Sequence, residues 1–140
     1  MLQVRLDVTN GYTVCCPVGE LDAYSASDLR QSMALLTSVP RLIVDLSEVP
    51  FIDSAGLSAL VGGIRRVRDG GGRVVVCSAR RHVQRLLDVV GFASVVYVAR
   101  NLDEAYRMLT HTSDPDGTRR LPFDAKKALP QCAPTEALTR

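Results

Sequence analysis

The amino-acid sequence predicts an α/β fold, with a mixed five-stranded sheet and about four helices. Near the N-terminus, two short segments alternate apolar and polar residues on either side of Asn10-Gly11. From about residue 25 onward, segments with a helical spacing of apolar residues alternate with short apolar runs. The 140 residues, of which 46% are hydrophobic and 23% charged, have the size and composition of one globular domain. A hairpin followed by repeated helix and strand units therefore builds one layered domain.

The first two strands are predicted to form an antiparallel hairpin. Alternate positions are apolar in both segments: Leu2, Val4, Leu6 and Val8 in the first, and Tyr12, Val14, Cys16 and Val18 in the second. This period of two is typical of β-strands. Asn10-Gly11 readily takes the positive φ angles of a type I′ turn, whose twist matches that of the flanking strands. The two segments therefore pair through a two-residue turn.

The remaining elements alternate between helices and buried strands. Apolar spacing predicts helices at 26–37, 54–69, 83–90 and 102–109, and short apolar runs predict strands at 41–46, 73–78 and 95–98. Ser25 is the candidate N-cap of the first of these helices. Gly70-Gly71-Gly72 and Gly91 end the second and third. Right-handed crossovers join the later strands in parallel, with 41–46 near the centre because it is apolar almost throughout.

The folded domain is predicted to end near His111. Residues 112–140 contain four prolines and only scattered apolar residues. Such a segment buries too little apolar surface to offset the entropy of ordering it. We therefore expect a domain at 1–111 and a flexible or loosely packed tail at 112–140.

Composition and charge argue against membrane and nucleic-acid partners. The longest apolar runs are far shorter than the ~20 residues of a transmembrane helix, and the N-terminus lacks a basic stretch followed by an apolar block. The net charge is only +2, without a long basic stripe. We therefore expect a cytoplasmic protein that contacts neither a membrane nor nucleic acid directly.

The four cysteines do not have the spacing of a metal or dithiol site. Cys15, Cys16, Cys77 and Cys132 lack the Cys-x-x-Cys pattern, so free thiols are expected in a reducing cytosol. Cys15 and Cys16 are neighbours in a predicted strand, so they point to opposite faces and one of them is expected in the core. A redox switch through Cys77 or Cys132 stays an open alternative.

Residues 45–60 connect the central strand to the following helix and carry the most informative pattern. Ser54 is placed at the helix start, where its hydroxyl can accept a hydrogen bond from the N–H of Gly56 or Leu57 as an N-cap. Alternatively, Ser54 accepts a phosphate group, which the partial positive charge of a helix N-terminus favours. Ala55 and Gly56 leave room for another protein's active site. Both interpretations stay open on these residues alone.

The same segment resembles a known family. Asp-Leu-Ser-Glu-Val-Pro-Phe-Ile-Asp-Ser-Ala-Gly-Leu at 45–57 is preceded by Gly-Glu-Leu-Asp at 19–22 and followed by Val-Val-Val-Cys at 74–77. This pattern is similar to the STAS family, specifically to the bacterial anti-sigma factor antagonists. The resemblance covers about residues 2–110, and the Asp-Ser-x-Gly-Leu motif is fairly specific to the group. Ala55 departs from many relatives, which carry Ser or Thr there.

The resemblance implies a partner-switching regulator rather than an enzyme, without a cofactor or metal of its own. Such a protein binds an anti-sigma factor that is also a serine kinase, with ATP bound by that partner, and so releases a sigma factor. The kinase phosphorylates the serine that corresponds to Ser54, which ends binding, and a PP2C-type phosphatase restores it. The implied partner-binding residues are Asp22, Asp53, Ser54, Ala55, Gly56 and Leu57.

Alternative functions and roles stand beside this interpretation. A STAS module could serve a transporter, a lipid-trafficking complex or a stress-signalling assembly. Ser54 could be a nucleophile with His82 or His111 as its base, although no Gly-x-Ser-x-Gly elbow surrounds it. Asp22 and Asp53 could be carboxylates that only stabilise helix caps.

Two further features stay open in the sequence. Tyr24 is either a residue at the edge of the core or a contact for a partner. Gly62-Gly63 within the predicted helix at 54–69 either permits close packing or loosens the helix, since each glycine costs about 1 kcal/mol relative to alanine.

Overall fold

The computed structural model describes residues 2–9 and 11–111. In chain order the elements are β1 (Gln3–Thr9), β2 (Tyr12–Val18), α1 (Ala26–Ala34), β3 (Arg41–Asp45), α2 (Ser54–Asp69), β4 (Arg73–Cys77), α3 (Arg81–Val89), a 3₁₀ turn (Phe92–Ser94), β5 (Tyr97–Ala99) and α4 (Leu102–His111). The predicted α/β class, with a mixed five-stranded sheet and four helices, is confirmed for these residues. The predicted tail at 112–140 lies outside them and stays a prediction.

The sheet has the order β1-β2-β3-β4-β5. β1 and β2 are antiparallel, and every later neighbour is parallel. Thr9 pairs with Tyr12 across the hairpin turn, and Gly11 has a φ of +82°, as the turn prediction requires. Asn10 lies outside the described residues. β3 occupies the middle of the sheet, where helices cover both of its faces.

Two hydrophobic clusters lie on the two faces of the sheet. The first contains Leu29 and Met33 of α1, Leu60 and Ile64 of α2, and Val83 and Leu87 of α3. The second contains Leu102, Ala105 and Leu109 of α4. Alternate residues of β3 enter the two clusters, because successive side chains of a strand point to opposite faces. Three helices therefore pack on one face and α4 packs on the other.

The neighbouring thiols of β2 are both in the core. Cys15 joins the first cluster and Cys16 the second, as the strand period requires, and both are completely buried. The prediction that they point to opposite faces, with one in the core, is confirmed, and the structure places the second in the core as well. The layer that covers Cys16 includes α4, which follows at the end of the domain, so the local pattern of β2 could not show it.

Several element boundaries differ from the prediction by one to three residues, and for two of them the hydrogen bonds show the cause. α1 ends at Ala34 rather than near Thr37, because the chain then tightens into turns in which the N–H of Leu36 bonds to the carbonyl of Met33. β5 starts at Tyr97 rather than at Val95, since the N–H of Val95 still bonds back to Phe92 in the 3₁₀ turn. Gly91 has a φ of +72° and follows the end of α3, as predicted.

Candidate functional site

Backbone hydrogen bonds join two loops at the carboxyl edge of the sheet. The N–H of Leu21 donates to the carbonyl of Phe51 at 2.9 Å, and the N–H of Asp53 donates to the carbonyl of Leu21 at 3.0 Å. One step earlier, the N–H of Gly19 donates to the carbonyl of Glu48 at 3.1 Å. The Gly-Glu-Leu-Asp loop therefore forms a short strand-like seam with the loop that leads into α2.

Gly56 lets the first turn of α2 press against this seam. A Cβ atom at position 56 would lie 2.1 Å from the carbonyl oxygen of Leu21 and 2.4 Å from its carbonyl carbon. Real Cβ atoms do not approach backbone atoms so closely, so a side chain here would push the helix and the loop apart. Gly56 itself is buried. The glycine of the motif thus fixes where the helix start lies relative to the loop.

Asp53, and not Ser54, is the N-cap of α2. Asp53 has an extended backbone, and its Oδ1 accepts a hydrogen bond from the N–H of Gly56 at 2.9 Å. Ser54 is the first helical residue. The interpretation of Ser54 as the N-cap, one of the two that the sequence left open, is therefore wrong: the carboxylate one residue earlier reaches the free N–H of the first turn and replaces the hydroxyl in that role. Asp53 caps the helix, as the capping interpretation of this carboxylate expects.

Asp22 holds the Gly-Glu-Leu-Asp loop in shape. Its Oδ1 accepts hydrogen bonds from the N–H groups of Tyr24 and Ser25, both at 3.0 Å. Ser25 lies at the N-cap position of α1 but makes no capping hydrogen bond with its side chain. Its hydroxyl instead donates to the carbonyl of Glu20 at 2.6 Å and accepts from the N–H of Asp22 at 3.0 Å. Ser25 is therefore the N-cap residue of α1, as predicted, but without a side-chain cap hydrogen bond, because the loop uses that hydroxyl.

Three of the side chains exposed at this edge form what we call the serine rim, which consists of Tyr24, Phe51 and Ser54. Glu20 and Ala23 are exposed in the same loop as Tyr24. Tyr24 is 94% exposed and Phe51 45% exposed, and Ser54 is exposed at the mouth of α2. Beside Tyr24 is a shallow depression of about 430 Å³, lined by Gly19, Glu20, Asp22, Tyr24, Ser25 and Pro50. Tyr24 is thus a surface residue and not part of the core edge. Ala55 and Leu57 are partly buried and pack against the first cluster.

The start of α3 holds the loop before α2 from its other side. The Nε–H of Arg80 donates to the carbonyl of Ser47 at 3.0 Å, and Nε2 of His82 is hydrogen-bonded to the carbonyl of Pro50. Within the described residues, no hydrogen bond joins Ser54 to a histidine. The side chain of His111 is not described. The imidazole of His82 thus positions a loop, which does not support the nucleophile alternative.

Several groups with potential reactivity lie buried beneath the rim. Burial raises the pKa of Cys15 and of Cys16 to about 12, so both thiols stay protonated and poorly nucleophilic. Burial likewise raises the pKa of Asp45, which is 1% exposed and accepts a hydrogen bond from the N–H of Ser47 at 2.9 Å. Cys77 is also buried, and Cys132 lies outside the described residues. These groups belong to the core rather than to the accessible surface.

Residues 2–9 and 11–111 contain no group of three or more His, Cys, Asp or Glu side chains arranged to hold a metal ion. Among their helices, none is long and apolar enough to cross a bilayer. The serine rim is the candidate site because it carries the Asp-Ser-x-Gly-Leu motif at an exposed edge.

The described residues form a layered α/β domain with an exposed serine at the carboxyl edge of its sheet. The chain belongs to the STAS domain family, whose model matches residues 3–105. It is 30% identical over 82 residues to the anti-sigma-B factor antagonist of Bacillus subtilis (strain 168), which covers 58% of this chain and 75% of that protein. It is 26% identical over 103 residues to the anti-sigma F factor antagonist of Paenibacillus polymyxa, at 71% and 88% coverage.

A solved structure shows the same similarity. The crystal structure of an anti-sigma factor antagonist from Mycobacterium paratuberculosis superposes with a TM-score of 0.69 at 27% identity, over 76% of this chain and 92% of that one. The predicted resemblance to the STAS family and to its anti-sigma factor antagonists is therefore confirmed. The roles predicted for the individual rim residues stay predictions.

Proposed function

We propose that this protein is a cytoplasmic anti-sigma factor antagonist. It binds an anti-sigma factor with serine kinase activity through the serine rim and so releases a sigma factor. Phosphorylation of Ser54 by that kinase ends the complex, and a PP2C-type phosphatase restores it. The observation that carries this proposal is the exposed hydroxyl of Ser54 on a helix whose cap is already supplied by Asp53. The named functions of the relatives support the same conclusion.

The position of Ser54 allows phosphorylation without unfolding. Because the cap bond is made by Asp53, modification of the Ser54 hydroxyl removes no hydrogen bond from the described fold. A phosphate at the first helical residue meets the partial positive charge of the α2 N-terminus, a setting worth about 0.3–1 kcal/mol at an exposed position. In the proposed reaction, the Oγ of Ser54 attacks the γ-phosphorus of ATP held by the partner. The hydroxyl proton passes to a base of the partner, and ADP leaves.

Phosphorylation nevertheless changes the surface that a partner contacts. It adds a charge of about −1.5 to −2 next to Asp53, at an edge whose exposed side chains include the aromatic Tyr24 and Phe51 and the acidic Glu20. Tyrosine is a frequent anchor in protein interfaces, because its large ring is buried on binding and its hydroxyl still finds a partner. Burial of the phosphate against such a contact requires removal of its water. We expect phosphorylation to weaken the binding free energy of the complex by about 2.8 kcal/mol, which corresponds to about a hundredfold in affinity.

The implied partner-binding residues fall into two groups in this proposal. Ser54 offers its side chain directly to the partner. Asp22, Asp53 and Gly56 act mainly by shape, since their contacts hold the Gly-Glu-Leu-Asp loop and the start of α2 in one arrangement. Ala55 and Leu57 flank Gly56 in the sequence.

The direct test uses an anti-sigma factor kinase recovered by pull-down with the full chain. Wild type, Ser54→Ala, Ser54→Glu and the matched control Ser58→Ala are incubated with that kinase and labelled ATP, and the labelled residue is located by mass spectrometry. Label is expected in wild type and Ser58→Ala but not in Ser54→Ala. By calorimetry, Ser54→Glu is expected to bind about a hundredfold more weakly, while its circular dichroism stays native.

Two results would contradict the proposal. One is Ser54→Glu binding the kinase as tightly as wild type. The other is phosphate on Ser47 or Ser58 in place of Ser54. A chain that binds a partner through the rim without any phosphorylation would favour the STAS module for a partner outside sigma regulation.

The rim itself is tested by a matched pair of surface substitutions. Tyr24→Ser removes a 94%-exposed ring from the rim, whereas Val89→Ser removes a 78%-exposed side chain at the end of α3. Tyr24→Ser is expected to weaken kinase binding at least about tenfold, as for an interface anchor, and Val89→Ser to leave it unchanged. Equal effects of the two substitutions would place the contact elsewhere.

A further inference from the structure

β1 leaves one row of backbone groups unpaired within the sheet, because it is an edge strand. Thr9 and Tyr12 pair directly across a two-residue turn, and in such a hairpin the closing residues exchange both backbone hydrogen bonds. Antiparallel bonding alternates along the strand, so Gln3, Arg5, Asp7 and Thr9 bond to β2. The N–H and C=O groups of Val4, Leu6 and Val8 therefore point away from the sheet.

The side chains of β1 differ between the two faces of the sheet. Leu6 lies opposite Cys15 on the face of α1, and it is 40% exposed, while Val8 on the same face is 70% exposed. Arg5 lies opposite Cys16 on the α4 face. A buried Nη1 of Arg5 has no hydrogen-bond partner among the described residues. The outer edge thus combines an apolar row on one face with charged groups on the other.

We propose that β1 pairs antiparallel with β1 of a second copy of this chain, about a two-fold axis at Leu6. In this register, Arg5 lies opposite Asp7 of the second copy, and Val4 lies opposite Val8. Opposite charges and apolar side chains across an antiparallel pair are favourable. The outward backbone groups of Leu6 also meet each other on the axis, so the two copies exchange both hydrogen bonds there.

The charge pattern selects this register over its neighbours. An axis at Arg5 would place two arginines opposite each other, and an axis at Asp7 would place two aspartates opposite each other, which is destabilising. Charged edge residues often prevent edge pairing in natural sheets. Here the charges have opposite signs two positions apart on one face, so self-pairing brings opposite charges together. Asp7 also accepts a hydrogen bond from the Thr9 hydroxyl at 3.3 Å, which keeps it on this edge.

The paired edges leave both serine rims accessible. Antiparallel pairing of β1 makes the other strands of the two copies run in opposite directions. The carboxyl edges, and with them the two Ser54 residues, then lie at opposite ends of the dimer. Dimer formation is therefore independent of the proposed phosphorylation switch, and Ser54→Glu is expected to self-associate like wild type.

The test measures self-association of the full chain by sedimentation velocity from about 1 µM to about 1 mM, because one pair of strands is expected to form a weak, reversible contact. Arg5→Asp and Asp7→Arg each place like charges opposite each other in the dimer. Each is expected to weaken self-association at least about tenfold. A mixture of the two variants is expected to associate like wild type, since every charge then faces an opposite one.

The matched control separates this contact from general attraction between oppositely charged variants. Arg85→Asp and Asp88→Arg make the same charge changes at exposed positions on α3. Alone they are expected to self-associate like wild type, and mixing them is expected to add nothing. Circular dichroism checks that every variant is folded.

Amide hydrogen exchange supplies a second readout on the wild-type chain. The amides of Val4, Leu6 and Val8 are expected to gain protection as the concentration rises, whereas those of Arg5 and Asp7 are already bonded to β2. A wild type that stays monomeric up to about 1 mM overturns the proposal and leaves the edge to a strand from another protein. A dimer that neither single variant weakens, or that the α3 control weakens equally, also overturns it.

Discussion

The two faces of α2 differ in their surroundings: one packs closely against neighbouring segments, and the other faces outward. On the inner face, Gly56 and Gly63 allow close contact: a Cβ at Gly63 would lie 2.7 Å from the Cε of Met33. On the outer face, Ser54 is exposed, and a Cβ at Gly62 would meet nothing within 4 Å. Neighbouring residues of one motif can therefore have separate roles. The inner glycines set where the helix lies, and the outer serine is the residue that we propose to meet a partner.

The largest effect on stability is expected for Gly56→Ala. The new methyl group would collide with the backbone of Leu21, which cannot move aside as a flexible side chain can. Overpacking of this kind typically costs 1–3 kcal/mol, and we expect about 3 kcal/mol here because the neighbour is backbone. Urea unfolding measures the change. A free energy of unfolding within about 0.5 kcal/mol of wild type would show that the seam is loose.

Gly63→Ala is expected to lower the free energy of unfolding by about 1–2 kcal/mol, less than Gly56→Ala does. The Cε of Met33 can move aside, but its Cβ, 2.8 Å from the added methyl group, can move only with α1; alanine in turn favours the helix by up to about 1 kcal/mol. Met33→Ala removes the close contacts with Cγ and Cε, keeps the one with Cβ, and leaves a cavity of its own. In urea unfolding, the double variant should lose less than the sum of the two single losses. Additive losses would mean that the two residues are not in contact.

The sequence predicts the layers of this fold better than it predicts the contacts between them. The periods of two and of 3.6 identified every strand and helix, and the Asp-Ser-x-Gly-Leu motif located the rim. The cap of α2 could not be assigned, because Asp53 and Ser54 are adjacent and both are good N-cap residues. The contact of Gly56 with Leu21 joins segments far apart in sequence. A glycine three residues after a cap aspartate, where a helix former is expected, was the available signal.

Asp53→Ala is expected to lower the free energy of unfolding by about 1 kcal/mol. This substitution removes the oxygen that accepts the N–H of Gly56 at the start of α2. Asp53→Asn keeps an acceptor and should lose much less. Ser54→Ala should stay within about 0.5 kcal/mol of wild type in urea unfolding, because the serine is exposed and does not cap the helix. The reverse ranking, with Ser54→Ala the more damaging, would return the cap to the serine.

The smallest expected change is a gain in the free energy of unfolding for Gly62→Ala. Its sign is opposite to that expected for Gly63→Ala. Gly62→Ala adds a methyl group where no atom lies within 4 Å, next to a depression lined by apolar residues such as Val61 and Phe92. With no collision to offset it, the better helix propensity of alanine should raise the free energy of unfolding by about 0.5–1 kcal/mol. Gly63→Ala, one residue later, should change it in the opposite direction. Shifts of the urea midpoint in the same direction for both substitutions would contradict this prediction. Helix propensity, rather than packing against α1, would then decide the stability of this part of α2, and its two faces would not differ as described.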